Sequence, residues 1–389
     1  MLLNSNNSSL LDKVIYRINA SPEKKITFAE YMDMCLYDEQ YGYYTSKSIA
    51  IGPEGDFFTS SSISSDFGEL LAIQMEEFWQ VLGQPKSFRI VEMGAGEGIL
   101  AKIILDYLQS KFPSFYECIQ YLIIEKSTAL KIKQKETVNP TKYPIIWQDW
   151  QEIDSESIIG CFISNELMDA LPVHRIIKDE GELKEIYVTV EDGNLREIYN
   201  NFSTDKIEEY LMINHVNLRE DSYPHNYQTE VNLFSLEILA KIAQKLKRGY
   251  VLTVDYGYDA QKFYHPQRYE GTLKCYYQHR HHHNPYVNLG IQDITSHVNF
   301  TALVESGLNF GLDNLGLTQQ ALFLMELGLG DRLNDLSSGK ILLSELWQRR
   351  NQLHELINPQ GLGGFYVLLQ GKNLRETERK QTLKGFTNF

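Results

Sequence analysis

Three closely spaced glycines could bring the backbone of this chain close to a ligand. An apolar run from Phe88 to Met93 leads into Gly94, Gly96 and Gly98, and the apolar segment Ile99 to Leu108 follows. Glycine permits a close approach of backbone to ligand, and a helix that begins here presents free N–H groups. The succession of strand, glycine turn and helix therefore predicts a nucleotide-cofactor site.

Acidic residues around the turn argue against a pyrophosphate ligand. Glu92 and Glu97 would repel phosphate groups, and the spacing is not the G-x-G-x-x-G of dinucleotide enzymes. A cationic or neutral adenosine compound fits better. S-adenosylmethionine is such a compound, because its sulfonium and amino groups are positive, and we predict it as the cofactor.

Two further strands end in a carboxylate. Glu125 closes the apolar run from Tyr121, and Asp149 follows the run from Pro144 to Trp147. A carboxylate after the second strand can bind ribose hydroxyls, so Glu125 is the candidate for that contact. Asp149 could accept a hydrogen bond from the adenine amino group, although an Asp in a surface loop is often only solvated.

A second group of polar residues follows the fourth strand. In the segment Asn165 to Pro172, Glu166 and Asp169 are three residues apart and would share a face if the segment formed a helical turn. Such carboxylates could cap a helix or form an ion pair. They could also clamp a guanidinium group, localising its charge and leaving another nitrogen more nucleophilic.

Histidines offer one candidate site residue and one motif that we set aside. His297 could orient a carboxylate or relay a proton, although many lone histidines are simply polar residues satisfied by their surroundings. The run His279 to His283 resembles a metal site. Adjacent histidines in a loop point in different directions, and no second ligand motif completes a tetrahedral shell, so we predict no metal.

The elements that position these residues alternate between strand and helix, which predicts a doubly wound α/β sheet. Further strands are expected at Ile158 to Ile163, Tyr250 to Val254, near Leu308 and at Gly364 to Gln370. The predicted organisation is as follows: 1–60 a helical, aromatic N-terminal segment; 61–174 the first half of the core; 175–230 a β-rich insertion; 231–257 the core continued; 258–300 a substrate-side insertion; 301–389 the last strands and tail.

Composition limits the class of function. The chain has 389 residues and a net charge of −14, which argues against a protein that binds nucleic acid through its phosphates. Its four cysteines are far apart and suit free thiols in a reducing compartment. Because no apolar run is long enough to span a membrane and no basic, apolar leader is present, we predict a soluble, cytoplasmic protein.

Several motifs together resemble the MidA family of SAM-dependent methyltransferases, along nearly the whole chain. The matching motifs are Tyr41–Tyr44, Gly55–Ser60, Phe67–Leu71, Val91–Gly98, Asn165–His174, Asp255–Gly257, Gly271–Leu273 and Asp293–His297. Two positions depart from the family pattern. Ala95 stands where the family often has Pro, and Leu167-Met168 stands where it often has aromatic residues, which could alter the choice of acceptor.

The resemblance implies a class I SAM-dependent methyltransferase (Rossmann-like) fold: a seven-stranded sheet with its last strand antiparallel, a helical N-terminal region and β-rich insertions. By position, it implies that the cofactor is held by Glu92, Gly94, Gly96 and Glu125. It implies an acceptor end of Asn165, Glu166 and Asp169, with Thr59 and Ser60 at the mouth. Thr295 and His297 are similar to the Thr-His loop of other arginine methyltransferases.

The family includes a mitochondrial enzyme that methylates an arginine of a large complex I subunit. The resemblance therefore implies protein arginine N-methylation of a subunit of a complex I-like NADH or quinone-reducing complex, in aid of its assembly. The alternatives are an assembly chaperone that binds SAM without turnover, a methyltransferase with a different acceptor, and a dehydrogenase on a related sheet. The oligomeric state is left open, with a homodimer as one option.

Overall fold

The helices of this computed structural model are drawn from residues 8–45, 64–336 and 343–387, which the structure describes. They are α1 Ser8–Ala20, α2 Phe28–Tyr37, α3 Ser65–Val81, α4 Ile99–Lys111, α5 Pro113–Tyr116, α6 Thr128–Thr137, α7 Lys206–Ile213, α8 Leu233–Lys245, α9 Ala260–Phe263, α10 Phe300–Asn309, α11 Gln320–Leu324, α12 Gly330–Asp335, α13 Leu343–Ile357 and α14 Glu376–Arg379. No helix within the described ranges is long and apolar enough to cross a membrane.

The strands begin near the N-terminus and continue to the last described segment. They are β1 Lys25–Thr27, β2 Phe88–Met93, β3 Ile119–Ile124, β4 Ile145–Trp147, β5 Ile158–Asn165, β6 His174–Asp179, β7 Glu182–Glu191, β8 Asn194–Asn200, β9 Gln228–Val231, β10 Leu246–Asp255, β11 Gly257–Tyr258, β12 Lys274–Tyr277, β13 Arg280–His282, β14 Asp293–Thr295, β15 Val298–Asn299, β16 Asp313–Gln319 and β17 Tyr366–Lys372.

The chain divides into two compact units, each built from separate stretches of sequence. The first, here called the sheet unit, consists of Phe58–Leu167, Leu239–Tyr256 and Gly307–Phe389. The second, here called the insertion unit, consists of Met1–Phe57, Met168–Ile238 and Gly257–Ser306.

The sheet unit contains a seven-stranded sheet in the order β16-β17-β10-β5-β2-β3-β4. Strand β2 is parallel to β3 and β5, β3 to β4, and β10 to β5, whereas β17 is antiparallel to β10 and β16. Strands β2, β3, β5 and β10 are buried along most of their length, as expected of parallel strands that are covered on both faces. This is the predicted methyltransferase sheet, including its antiparallel last strand.

Helix α3 packs the core of the sheet unit. The side chain of Ser64 caps its N-terminus by accepting a hydrogen bond from the Asp66 backbone N–H at 3.2 Å. The apolar residues on its inward face, and Leu82 just beyond its end, are all buried: Phe67, Leu71, Met75, Phe78 and Leu82. They form part of the core of the sheet unit.

The prediction of a sixth strand near Leu308 is wrong. Helix α10 continues to Asn309, and the strand begins only at Asp313. Gly311, with a φ of +81°, adopts the left-handed conformation that ends the helix, and the N–H of Leu312 bonds to the carbonyl of Gly307 at 2.8 Å. Gly307 lies within helix α10 and does not end it.

The insertion unit is rich in β-structure, as predicted. A five-stranded sheet has the order β1-β7-β6-β9 with β8 paired to β7, and a three-stranded sheet has the order β13-β12-β14. Helices α1 and α2 contribute to a core cluster that also contains Val173, Cys275 and Ile294.

Candidate functional site

The glycine turn lies at the carboxyl end of β2, in the middle of the seven-stranded sheet. Gly94 and Gly96 have φ angles of +66° and +51°, which residues with a side chain rarely adopt. A Cβ at Gly94 would lie 2.7 Å from Leu167, whereas no atom of the described residues lies within 4 Å of the corresponding position at Gly96. The turn therefore has an open side at Gly96 where a ligand can approach the backbone.

Glu92 lies on β2, just before the turn, and is buried. The hydroxyl of Tyr121 donates a hydrogen bond of 2.7 Å to its carboxylate. Burial raises the pKa of Glu92 to about 7. The hydrogen bond from Tyr121 lowers this pKa, whereas the charge of Glu125 raises it further. Its contact with the cofactor remains a prediction.

Glu125 follows β3, and several hydrogen-bond donors hold its carboxylate. The backbone N–H of Ser127 and the amide of Gln134 lie 2.8 and 3.0 Å from its oxygens. Burial raises its pKa, although these hydrogen bonds act in the opposite direction. Since the carboxyl ends of neighbouring parallel strands lie at one edge of the sheet, Glu125 and the turn face the same edge.

Gln134, on α6, is a residue that sequence analysis missed. Its side chain is fully buried, and its amide nitrogen also donates to the carbonyl of Gly96 at 2.8 Å. Its amide oxygen accepts from the indole N–H of Trp147 at 2.9 Å. Gln134 thus connects the glycine turn, Glu125 and β4 by hydrogen bonds. The signal for it in the sequence was weak: one polar residue on the inward face of a helix.

Asp149 lies in a more exposed position. The ammonium group of Lys131 is 2.9 Å from its carboxylate, and its backbone N–H donates to Glu152 at 2.7 Å. Its side chain is 58% exposed, and its role in binding adenine remains a prediction.

The segment after β5 is not helical, which corrects one expectation. Asn165 is the last residue of β5, and Glu166 has a φ of +53°, outside the helical range. Bends and a turn follow, so the spacing of Glu166 and Asp169 does not put them on one face of a helix. The amide of Asn165 donates to Glu166 at 3.1 Å.

A buried acceptor near this strand end fits a bound ligand. The side-chain oxygen of Asn165 is inaccessible to solvent and has no hydrogen-bond partner within the described part of the chain. Buried polar atoms are nearly always paired, so such an atom at the ligand-binding edge of a sheet suits a donor from a small molecule. The open side of Gly96 and the carboxylate of Glu125 fit an adenosine-type cofactor at this edge of the sheet unit.

Asp169 belongs to the insertion unit and is only 4% exposed. Its backbone carbonyl accepts a hydrogen bond from the N–H of Ser296 at 3.0 Å. The next carbonyl along, that of Ala170, accepts one from the hydroxyl of Tyr37, also at 3.0 Å. The turn that carries Asp169 is therefore held from two directions.

His297 lies in the insertion unit as well, with its ring stacked on Tyr258 at a centroid distance of 5.0 Å. Burial lowers its pKa to about 3, helped by the charges of Lys274 and Arg268. The ring is therefore neutral and weakly basic near pH 7. This environment suits a positioning role better than a proton relay.

Thr59 and Ser60, predicted at the mouth of the site, lie outside the described residues.

Residues 70–318 of the chain match the family described as "Putative S-adenosyl-L-methionine-dependent methyltransferase". Among curated proteins, the chain is similar to "Protein arginine methyltransferase NDUFAF7, mitochondrial". It is 27% identical to the Mus musculus protein, over 94% of this chain and 85% of that protein. It is 28% identical to the Danio rerio protein, over 98% and 93%.

Among solved structures, the chain is similar to a Burkholderia thailandensis protein, called a "likely methyl transferase", with S-adenosyl-homocysteine bound. The TM-score is 0.84 and the identity 27%, over 98% of this chain and 95% of that chain.

Proposed function

Because the chain belongs to this family of SAM-dependent methyltransferases, we propose that it methylates an arginine side chain of a protein. The observation that carries this proposal is the buried carboxylate of Asp169, on a turn that is fastened at two backbone carbonyls. A guanidinium group carries five N–H donors in a planar fork that matches carboxylate geometry. The Mus musculus and Danio rerio relatives are named as protein arginine methyltransferases, which supports the same acceptor.

S-adenosylmethionine, when bound, supplies a methyl group on a positively charged sulfur, and its transfer to a guanidinium nitrogen releases one proton. In this proposal Glu125 and the turn at Gly96 hold the cofactor. Asp169 accepts hydrogen bonds from the guanidinium, localises its charge away from the reacting nitrogen and takes the proton that is lost. The family resemblance assigns Asn165 and Glu166 to the acceptor as well, and His297 is assigned a positioning role as a neutral ring.

We further propose that the acceptor belongs to a large subunit of a complex I-like assembly, as the family resemblance implies. For the location we propose the cytoplasm, because the four cysteines are free and suit a reducing compartment. The curated relatives are named as mitochondrial, which is the alternative that fractionation of the native cell would test.

The test is the transfer of labelled methyl groups from SAM to proteins. The purified protein would be incubated with labelled SAM and a lysate of its native source, and labelled polypeptides would be hydrolysed for amino-acid analysis. We expect labelled methylarginine in one polypeptide of the size of a large complex subunit. Label on another amino acid would overturn the arginine assignment, and SAM binding without any label would favour the chaperone.

A further inference from the structure

A second buried carboxylate, that of Asp293, lies on the ladder between β12 and β14. In this antiparallel ladder Tyr276 is paired with Asp293 and Lys274 with Thr295. Paired residues share a face, and the face alternates along each strand. The intervening pair, Cys275 and Ile294, belongs to the core cluster of the insertion unit. Tyr276, Asp293 and Thr295 therefore lie on the face turned away from that cluster.

Tyrosines surround Asp293. The hydroxyl of Tyr44 lies 2.8 and 2.9 Å from the two oxygens of Asp293 and donates to them. The ring of Tyr37 stacks on that of Tyr44, with 5.5 Å between centroids and 25° between planes. These rings are half-buried, whereas Asp293 is only 4% exposed, so an aromatic rim covers a carboxylate.

The same tyrosines connect Asp293 to the turn of Asp169. Tyr37, stacked on Tyr44, donates its hydroxyl to the carbonyl of Ala170, next to Asp169. On the other side, Ser296 follows β14 by one residue, and its N–H donates to the carbonyl of Asp169. We call Asp169, Asp293, Tyr37, Tyr44 and Tyr276 the acidic–aromatic patch.

Electrostatics confirm that both carboxylates act on the same phenols. Burial, followed by the charges of Asp169 and Asp293, raises the pKa of Tyr276 to about 12. Burial, and then the charge of Asp293 ahead of that of Asp169, raises the pKa of Tyr44. The phenols therefore stay protonated, and the patch places two carboxyl groups beside aromatic faces.

An unpaired hydroxyl on the same face points to a ligand. Thr295 is 2% exposed, and its hydroxyl has no hydrogen-bond partner within the described ranges. It lies two residues from Asp293 in β14, so both side chains are on one face of the strand. A buried hydroxyl of this kind can accept a hydrogen bond from an N–H donor.

We propose that Asp293 is a specificity-determining residue that shares the acceptor guanidinium with Asp169, while Tyr44 and Tyr276 border it. A guanidinium has more N–H donors than one carboxylate can accept, and its plane binds well against aromatic rings. This inference rests on the proposed arginine acceptor and assigns a role to Asp293, which sequence analysis noted only as part of a motif. Tyr44 orients the Asp293 carboxylate.

The test compares Asp293→Asn with the unaltered protein by calorimetry, using ethylguanidinium as the probe and butylammonium as a cation of different shape. We expect ethylguanidinium to bind Asp293→Asn on the order of tenfold more weakly, because a charge-assisted hydrogen bond is lost. Butylammonium should be affected less, and SAM affinity should change less than twofold. Asp192→Asn, in an exposed hairpin turn of the same unit, is the matched control and should bind both probes normally.

Tyr276→Leu keeps the inference testable if Asp293→Asn does not fold, since Tyr276 is half-buried. It should weaken ethylguanidinium binding about threefold or more, by removing an aromatic face. Equal binding of ethylguanidinium by these variants and the unaltered protein, or no binding by any of them, would overturn the inference.

Turnover separates this inference from the proposed function. If methylarginine forms, Asp293→Asn should raise KM for the acceptor with a smaller effect on kcat, and Asp293→Glu should restore part of the loss. Normal KM in Asp293→Asn would refute the role of Asp293 and leave arginine methylation intact. Probe binding that depends on Asp293, without methylarginine in any polypeptide, would support the guanidinium site and refute the proposed reaction.

Discussion

At the scale of single residues, Glu125 and Asp169 have different assignments and lie in different units of the chain. Glu125 is held by Ser127 and Gln134 at the carboxyl edge of the sheet. Asp169 lies on a turn that Ser296 and Tyr37 fasten. Because the two carboxylates have different assigned roles, a variant of Glu125 tests cofactor binding and a variant of Asp169 tests methyl transfer.

Replacement of Glu125 by Ala should weaken SAM binding by about tenfold or more, because a charged acceptor for ribose hydroxyls is lost. Calorimetric titration with SAM measures this. Asp154→Ala, at an exposed position of the same unit, should bind SAM normally. An unchanged dissociation constant in Glu125→Ala would show that the ribose is held elsewhere.

Replacement of Asp169 by Ala should abolish methyl transfer while SAM affinity stays within a few-fold. The reason is that Asp169 is assigned to the guanidinium and not to the cofactor. Transfer of labelled methyl groups and SAM titration on the same preparation measure both quantities. Full turnover in Asp169→Ala would refute the clamp.

His297 should make the stability of the protein depend on pH. Its pKa is about 3 in the folded protein against an ordinary value of 6.5, so the unfolded chain binds more protons between these values. The free energy of unfolding should therefore fall as pH falls below 6.5, with a slope approaching ~1.4 kcal/mol per pH unit. Above pH 6.5 the ring is neutral in both the folded and the unfolded state, so His297 adds no pH dependence to the free energy of unfolding there.

Urea unfolding of the unaltered protein and of His297→Gln from pH 7 to pH 4.5 tests this, since glutamine does not titrate. The difference in unfolding free energy between the two proteins should shrink towards acid. If the unfolding free energies of the two proteins changed with pH in the same way, the ring would be protonated equally in the folded and unfolded states.

At the scale of elements, the central strands approach each other where glycines leave room. Gly160 in β5 is paired with Arg89 in β2 and with Gly249 in β10. A Cβ at Gly160 would lie 1.9 Å from the carbonyl oxygen of Arg89, and its φ is +152°. Both the contact and the backbone conformation exclude a side chain here.

Gly160→Ala should lower the free energy of unfolding by about 3 kcal/mol or more, because the two strands would have to separate. Urea unfolding measures the loss. Gly330→Ala is the control, since it lies at the start of α12 with its nearest atom 3.4 Å from the added carbon. That change should stay within about 1 kcal/mol, and an equal loss in both variants would refute the steric argument.

Local patterns predicted the strands of the sheet well except for β16, because the others contain short apolar runs that end in a polar residue or glycine, whereas β16 alternates polar and apolar residues. Glu125 and Asn165 were therefore identified at strand ends from sequence alone. The segment after Asn165 was predicted less well, because the sequence separation of Glu166 and Asp169 is the same whether the segment forms a helical turn or a series of bends. The left-handed Glu166 has no signal in the sequence.

At the scale of the whole molecule, the net charge of −14 should attract a basic acceptor. We expect KM for a protein arginine acceptor to rise several-fold between about 50 mM and about 300 mM NaCl, since salt screens exposed charges. The value of kcat should change little, because the electrostatic attraction acts on the encounter. Initial rates at a series of salt concentrations measure this, and a salt-independent KM would show that net charge plays no part.

The sequence by itself determined the class of sheet, the glycine turn and the type of cofactor, because these depend on residues that are close along the chain. Only the tertiary structure showed Gln134 joined to Gly96 and Glu125, the depressed pKa of His297, and Tyr44 bonded to Asp293 across 249 positions. These depend on burial and on partners that the chain brings together from distant segments. No local pattern of residue types contains that information, since hydrogen bonds and desolvation act through space.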